Sequence, residues 1–236
     1  ARTDPKTGRP LVEMIADRAR QKGTGRWTSL DALDLDTPVP TIDAAVAMRN
    51  LSARVDERAA AGRVLGRTVG GWDGDPETFL PGLERALLAA MMLTYAQGMS
   101  LLARASGRYD YGLDLAAVSG VWRGGCIIRS ALLDGIRAVF REDPGLTNPI
   151  LAEGPGRAVR ERRNDLAAVV SAAAGMGIPA AGFMSALAYG DALGRDRLPA
   201  ALIMAQRDDF GAHGYERIDE PGTFHTRWEK GDEERR

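Results

Sequence analysis

The chain has 236 residues, 44% of them hydrophobic and 27% charged, which is ordinary for a globular protein of one large domain or two small ones. A formal net charge of −1 gives no electrostatic case for general binding to nucleic acid or to an anionic membrane. One cysteine, Cys126, excludes an internal disulfide and fits a reducing, cytoplasmic setting. The first residues are polar, with no visible secretory signal, and the absence of an initial methionine leads us to expect sequence upstream.

Abundant alanine and scarce alternating β-branched runs predict a mostly helical chain. The apolar spacing of Leu11 to Ala19 predicts a first helix. A glycine-rich break, Lys22-Gly23-Thr24-Gly25-Arg26-Trp27, follows, and then a short helix from Thr28 to Leu33 with a hydroxyl cap. Thr41 to Arg63 reads as one longer helix after Pro40, capped by Thr41. Val69 to Pro76 reads as a loop.

Glu77 to Ser106 is the longest helical stretch and is apolar nearly all round in its middle. Its uncharged part, Ala86 to Leu102, has about the minimum length of a membrane span. Thr94, Tyr95, Gln97, Gly98 and Ser100 dilute it, and Glu84, Arg85 and Arg104 flank it, so a buried core helix is expected. A short helix over Leu113 to Val121 leads to Arg123-Gly124-Gly125, and another is expected from Cys126 to Phe140.

Breaks at Asp143-Pro144-Gly145 and Thr147-Asn148-Pro149 precede an amphipathic helix, Arg157 to Gly175, basic at its start. Gly177-Ile178-Pro179 opens a helix to Leu193, and Leu198-Pro199 opens the last, ending near Phe210-Gly211. The remaining residues have no helical period and become strongly charged, so they read as an extended tail without a core of its own. The expected fold is all-α: a helical domain over residues 1–211 and an extended C-terminal tail over residues 212–236.

Little in the chain resembles catalytic machinery. Two histidines and one cysteine give no metal-ligand spacing, and neither a nucleophile elbow nor a dinucleotide-binding glycine fingerprint is present. Lys22-Gly23-Thr24-Gly25 offers close backbone approach, an ammonium and a hydroxyl, as either an anion site or a plain turn. Arg207 stands in the last turn of a helix, either offsetting the helix dipole or gripping a phosphate or carboxylate. His213 follows just past the glycine break. Arg49, alone, reads as a solvated side chain; His225 reads as a tail contact, and Cys126 as a structural thiol.

In their order, these pieces resemble one family, the decarboxylating 6-phosphogluconate dehydrogenases. They are Lys22 to Thr28, Tyr95-Ala96-Gln97-Gly98, Trp122 to Ser130, Arg197-Leu198-Pro199-Ala200, Gln206 to Ile218, and Gly222 to Thr226. The resemblance covers nearly the whole chain, but only the C-terminal helical domain of that family. It implies that Lys22 and Thr24 hold the phosphate of 6-phosphogluconate, with Arg49 as a further phosphate-binding arginine. It also implies a homodimer in which Arg207 and His213 reach the partner's active site and the tail threads through the other subunit. In the family, a lysine base takes the substrate hydroxyl proton as hydride leaves for NADP, and a glutamic acid protonates the enediol after carbon dioxide departs.

Those two groups and the nucleotide-binding domain lie upstream in the family's order and are absent from these residues. The isolated chain is therefore expected to be inactive, with no catalytic residue of its own, no metal, and NADP held mainly by the absent domain. Asp209 and Gly214 also depart from the family, which usually has an aromatic and a threonine there. The alternative is a non-catalytic, stand-alone helical module that binds a sugar phosphate or dimerises with a full-length relative. A further variant keeps the fold and changes the substrate to another phosphorylated aldonate.

Overall fold

The computed structural model describes residues 2–66 and 70–228, and the backbone alone of 232–235. Val69, at the start of the expected loop, and Arg236, at the end of the tail, lie outside the described residues. The chain divides into two compact units, residues 1–190 and 191–236.

The first unit is organised along one helix. The helices are α1 (Thr24–Asp34), α2 (Pro40–Ser52), α3 (Val55–Leu65), α4 (Pro76–Tyr109), α5 (Leu115–Arg123), α6 (Leu132–Glu142), α7 (Glu153–Gly175) and α8 (Ala181–Leu193). Asp75 caps α4, its carboxylate accepting the N–H groups of Glu77 and Thr78, with Pro76 in the first turn where a missing N–H costs nothing. Successive faces of α4 then feed three apolar clusters. Ala86, Ala89, Ala90 and Leu93 meet Leu166 and Val169 of α7 and Ala186 and Tyr189 of α8. Met99 meets Leu115 and Ala116 of α5 and Leu133, Ile136 and Phe140 of α6. Leu101 and Ala105 meet Ala32, Leu35 and Val39 around α1 and α2.

By length and composition α4 could cross a membrane, yet its buried side chains supply all three clusters, which is the work of a core helix. Alanines at the contacts let neighbouring helices approach closely. On the rim, Arg85 holds Asp165 of α7 through two bonds of 2.8 Å, and this guanidinium keeps the Asp165 carboxyl below its ordinary value.

Four expected elements differ from those observed. Leu11 to Ala19 forms only a 3-10 turn at Leu11–Met14, because its apolar residues are mostly exposed and a helix of that length needs a core to lie against. Helix α1 begins at Thr24, not Thr28: Gly23 occupies the cap position at φ 102°, a conformation natural to glycine, and the Thr28 hydroxyl donates to the Thr24 carbonyl from inside the helix. Thr41 to Arg63 is two helices, broken where Arg54 turns away and Arg58 donates to the Ser52 carbonyl; Thr41 is not its cap, since Val39 holds that position. The helix expected from Cys126 begins only at Leu132. Before it, Gly125 sits at φ 143° and Tyr95 of α4 donates to the Ile128 carbonyl, holding residues 124–131 as a loop.

The second unit carries α9 (Ala200–Gly211) and the tail strands β1 (Tyr215–Glu216), β2 (Thr223–Arg227) and β3 (Asp232–Arg235). They pair antiparallel in the order β1-β2-β3, Tyr215 facing Phe224 and His225 facing Glu234. The tail is thus extended and also folded back on itself. Among its described residues, Phe224 is the buried apolar one.

Candidate functional site

Arg49 is tied to the segment that leads into α1 and carries Lys22 and Thr24. Residues 15–23 are not helical; side chains from α2 and α3 strap them down. Arg58 pairs with Asp17 at 2.8 Å, Ser52 Oγ accepts the Ala19 N–H at 2.9 Å, and Gln21 donates to Asn50 Oδ1 at 2.7 Å. Arg49 itself donates from Nη1 to the Arg20 carbonyl at 2.7 Å. The guanidinium from the end of α2 therefore lies against the backbone two residues before Lys22. It is exposed, and a guanidinium carries five N–H donors.

The N-terminus of α1 completes this corner. Gly23 contributes no capping side chain, so the first N–H groups of α1 carry the positive end of the helix dipole outward without a side-chain acceptor. Lys22 and Thr24 are both exposed beside it. Gly25 packs against α2: a Cβ there would stand 3.0 Å from Val46 Cγ2. Lysine, arginine, a hydroxyl and a helix N-terminus are the groups that bind a phosphate dianion.

Arg207 and His213 lie in the second unit, on either side of the end of α9, and both are exposed. Ala212, at φ 48°, ends the helix, its N–H donating to the Asp208 carbonyl at 2.8 Å. A Cβ on Gly211 would stand 2.8 Å from His213 Nε2, so the imidazole folds back over the glycine. Of the two family departures, Asp209 is exposed, whereas Gly214 is buried at φ 76°.

Asp208 is the residue that sequence reasoning missed. It is fully buried. Its Oδ1 accepts the Gly214 N–H and faces His225 Nδ1, each at 2.9 Å. Its Oδ2 accepts the Thr226 N–H at 2.9 Å and the Trp228 indole N–H at 3.1 Å. Burial alone would raise its pKa, but these donors outweigh burial and hold the carboxyl far below its ordinary value. His225, read from sequence as a tail contact, is one of them. The available signal was thin: Asp208 and Asp209 are adjacent in a helix, so only one can face inward.

The sign of this effect gives a prediction. A carboxyl with a depressed folded pKa contributes stability that is fully present above the unfolded value, about 4, and is lost as pH falls toward the folded value. The stability difference between the native protein and Asp208→Asn is expected to be constant from pH 7 to about pH 5 and to shrink steadily below about pH 4. Urea unfolding at several pH values measures it, and a pH-independent difference would contradict the assignment.

Against this geometry, the family model for the 6-phosphogluconate dehydrogenase C-terminal domain matches residues 1–228. The decarboxylating 6-phosphogluconate dehydrogenase of Synechococcus elongatus is 46% identical over 223 residues, 94% of this chain and 47% of that protein. The NADP(+)-dependent, decarboxylating enzyme of Bacillus subtilis is 42% identical over 228 residues, 96% of this chain and 49% of that one. Among solved structures, Plasmodium falciparum 6-phosphogluconate dehydrogenase, described apo, with NADP+ and with its substrate 6-phosphogluconate, superposes with a TM-score of 0.88 at 34% identity. That match covers 95% of this chain and 49% of the other. The chain thus spans about half the length of the relatives it matches. With matching motifs, helical architecture and near-complete coverage, the chain belongs to the 6-phosphogluconate dehydrogenase C-terminal domain family.

Proposed function

We propose that this chain is the substrate-binding and dimerisation part of an NADP-dependent, decarboxylating 6-phosphogluconate dehydrogenase of the pentose phosphate pathway. The reaction oxidises 6-phosphogluconate and releases carbon dioxide, giving ribulose 5-phosphate. The observation that carries the reading is the bond from Arg49 to the Arg20 carbonyl, which holds one arginine beside the Lys22–Thr24 loop at the open N-terminus of α1. There Lys22 supplies a point charge, Thr24 a hydroxyl donor, Arg49 a guanidinium, and α1 its backbone N–H groups, all toward the substrate phosphate. Arg207 and His213 add a second grip, lent to the partner's site.

Dimerisation is supported by the inversion of α9. Its buried residue is Asp208, while Leu202 is 74% exposed, Ile203 59% and Phe210 79%. A helix that buries a carboxylate and displays large apolar side chains fits docking on another protein surface; here, that of a second copy. Among the described residues no strand leads through a glycine turn into a helix, so NADP is assigned to the family's nucleotide-binding domain. The setting is cytoplasmic, in keeping with one unpaired cysteine.

The test is an assay of the longest native chain carrying these residues, with 6-phosphogluconate and NADP, following NADPH and carbon dioxide together. Equal amounts of both are expected, and NADPH without carbon dioxide would reject decarboxylation. Calorimetric binding of 6-phosphogluconate with no NADPH formed would favour the non-catalytic module.

Gly211→Ala gives a sharper result at one position. Alanine suits the helix, and Tm should hold or rise by about 2 °C. The new methyl displaces the imidazole, so the KM for 6-phosphogluconate should rise about fivefold. An unchanged KM would place His213 outside the site.

A further inference from the structure

A buried carboxylate is a costly choice for a unit of 46 residues, and an apolar residue would fill the position without needing partners. Asp208 binds the turn that carries His213 from both sides: Ala212 donates to its backbone carbonyl at 2.8 Å, and Gly214 to its Oδ1 at 2.9 Å. The same carboxylate takes His225 and Thr226 of β2 and Trp228 just past its end. The turn cannot shift against β2 without breaking these bonds. Arg207 precedes Asp208 on α9, and with the Asp208 side chain turned inward its neighbour stands about 100° away, exposed.

We propose that Asp208 is a positioning residue for the substrate grip of Arg207 and His213, fixing the backbone on both sides of His213 and tying it to strand β2. This rests on the reading that Arg207 and His213 contact the substrate. Asp208 itself touches no substrate. It acts by holding two side chains near their binding geometry before the ligand arrives, which reduces the ordering required at binding.

The experiment uses steady-state kinetics and thermal unfolding of the full-length enzyme carrying this segment. Asp208→Asn converts one acceptor oxygen to an NH2 that faces N–H donors. It is expected to raise the KM for 6-phosphogluconate about tenfold, with kcat within about threefold and the KM for NADP within about twofold. A lower Tm and a smaller active fraction with unchanged KM would mean a merely structural role and overturn the proposal.

Should Asp208→Asn fail to fold, His225 supplies the second readout. His225→Ala should raise the same KM about threefold, and His225→Asn, whose amide donates from nearly the position of Nδ1, should recover most of the loss. Equal effects of the two, or none, overturn it. In a His213→Ala background, Asp208→Asn should add much less than it does alone, and a full multiplicative effect would contradict action through His213. Arg207→Ala and His213→Ala separate the two claims: if neither moves KM, the substrate assignment fails; if both do and Asp208→Asn does not, the positioning role alone fails.

Discussion

Replacing Arg207 with alanine is expected to raise the KM for 6-phosphogluconate about 30-fold in the enzyme assembled from full-length chains, with kcat changed by less than about threefold. The argument starts from charge. A phosphorylated sugar acid brings a dianionic phosphate, and a guanidinium fork meets two of its oxygens at once. Hydrogen bonds to charged groups contribute about 1.5–3 kcal/mol, and about 2 kcal/mol corresponds to roughly 30-fold in affinity at tenfold per 1.4 kcal/mol.

The fold should not respond to this change. Arg207 is exposed, and among the described residues its hydrogen bond is a weak one to Met204 Sδ at 3.8 Å. A Tm within about 1 °C of the native value is expected. Arg207→Lys should recover only part of the affinity, since an ammonium restores the charge without the fork. An unchanged KM would remove Arg207 from the site, and a fall in kcat at constant KM would move it from binding to the chemical step.

What the sequence revealed, and what it hid, follows from how each signal arises. The long helix α4 was legible because its apolar run is too long and too poor in charge for anything but a buried helix or a membrane span. Helix α9 was legible at both ends, because Pro199 and Gly211 mark where a backbone can begin and stop. The segment from Leu11 to Ala19 misled because spacing reports an apolar stripe and not whether a surface exists to cover it; here side chains of Arg49, Ser52 and Arg58 hold the chain outstretched instead. Gly23 has the sequence character of a break, but at φ 102° it occupies the cap position of α1.

The candidate site divides in the same way. Lys22, Thr24, Arg49, Arg207 and His213 carried chemistry in their residue types, and the family resemblance gave them roles. Spacing alone placed no guanidinium beside the loop: 29 residues separate Arg49 from the carbonyl it holds. Asp208 had only the thin local signature of two adjacent carboxylates, because its meaning depends on donors 17 to 20 residues later, across a sheet that the charged tail did not announce.

Gln97→Leu is expected to lower Tm by about 5–15 °C, the largest stability effect of any single polar change in the first unit. Gln97 is fully buried on α4, and its amide is paired reciprocally with Thr41. Oε1 accepts the Thr41 N–H at 2.9 Å and Nε2 donates to the Thr41 hydroxyl at 2.9 Å. That N–H belongs to the first turn of α2, where no intrahelical acceptor exists. Leucine fills a similar volume but leaves a donor and a hydroxyl buried without partners, at about 1–3 kcal/mol each. Its greater apolarity offsets part of this, leaving about 2–4 kcal/mol, and at 2–4 °C per kcal/mol for a chain of this size the shift follows. Thr41→Val in the Gln97→Leu background should recover only the hydroxyl's share, because the backbone N–H remains unpaired in both variants. The same change reaches the candidate site, since α2 carries Arg49 two turns beyond Thr41 and Arg49 holds the loop at Arg20. A KM increase of about threefold should therefore accompany the loss of Tm. Circular dichroism melts and steady-state kinetics on the two variants measure both effects. A Tm within about 1 °C of the native protein would mean that α2 is held by the packing of Leu35, Val39, Leu101 and Ala105 alone, with the buried amide contributing nothing.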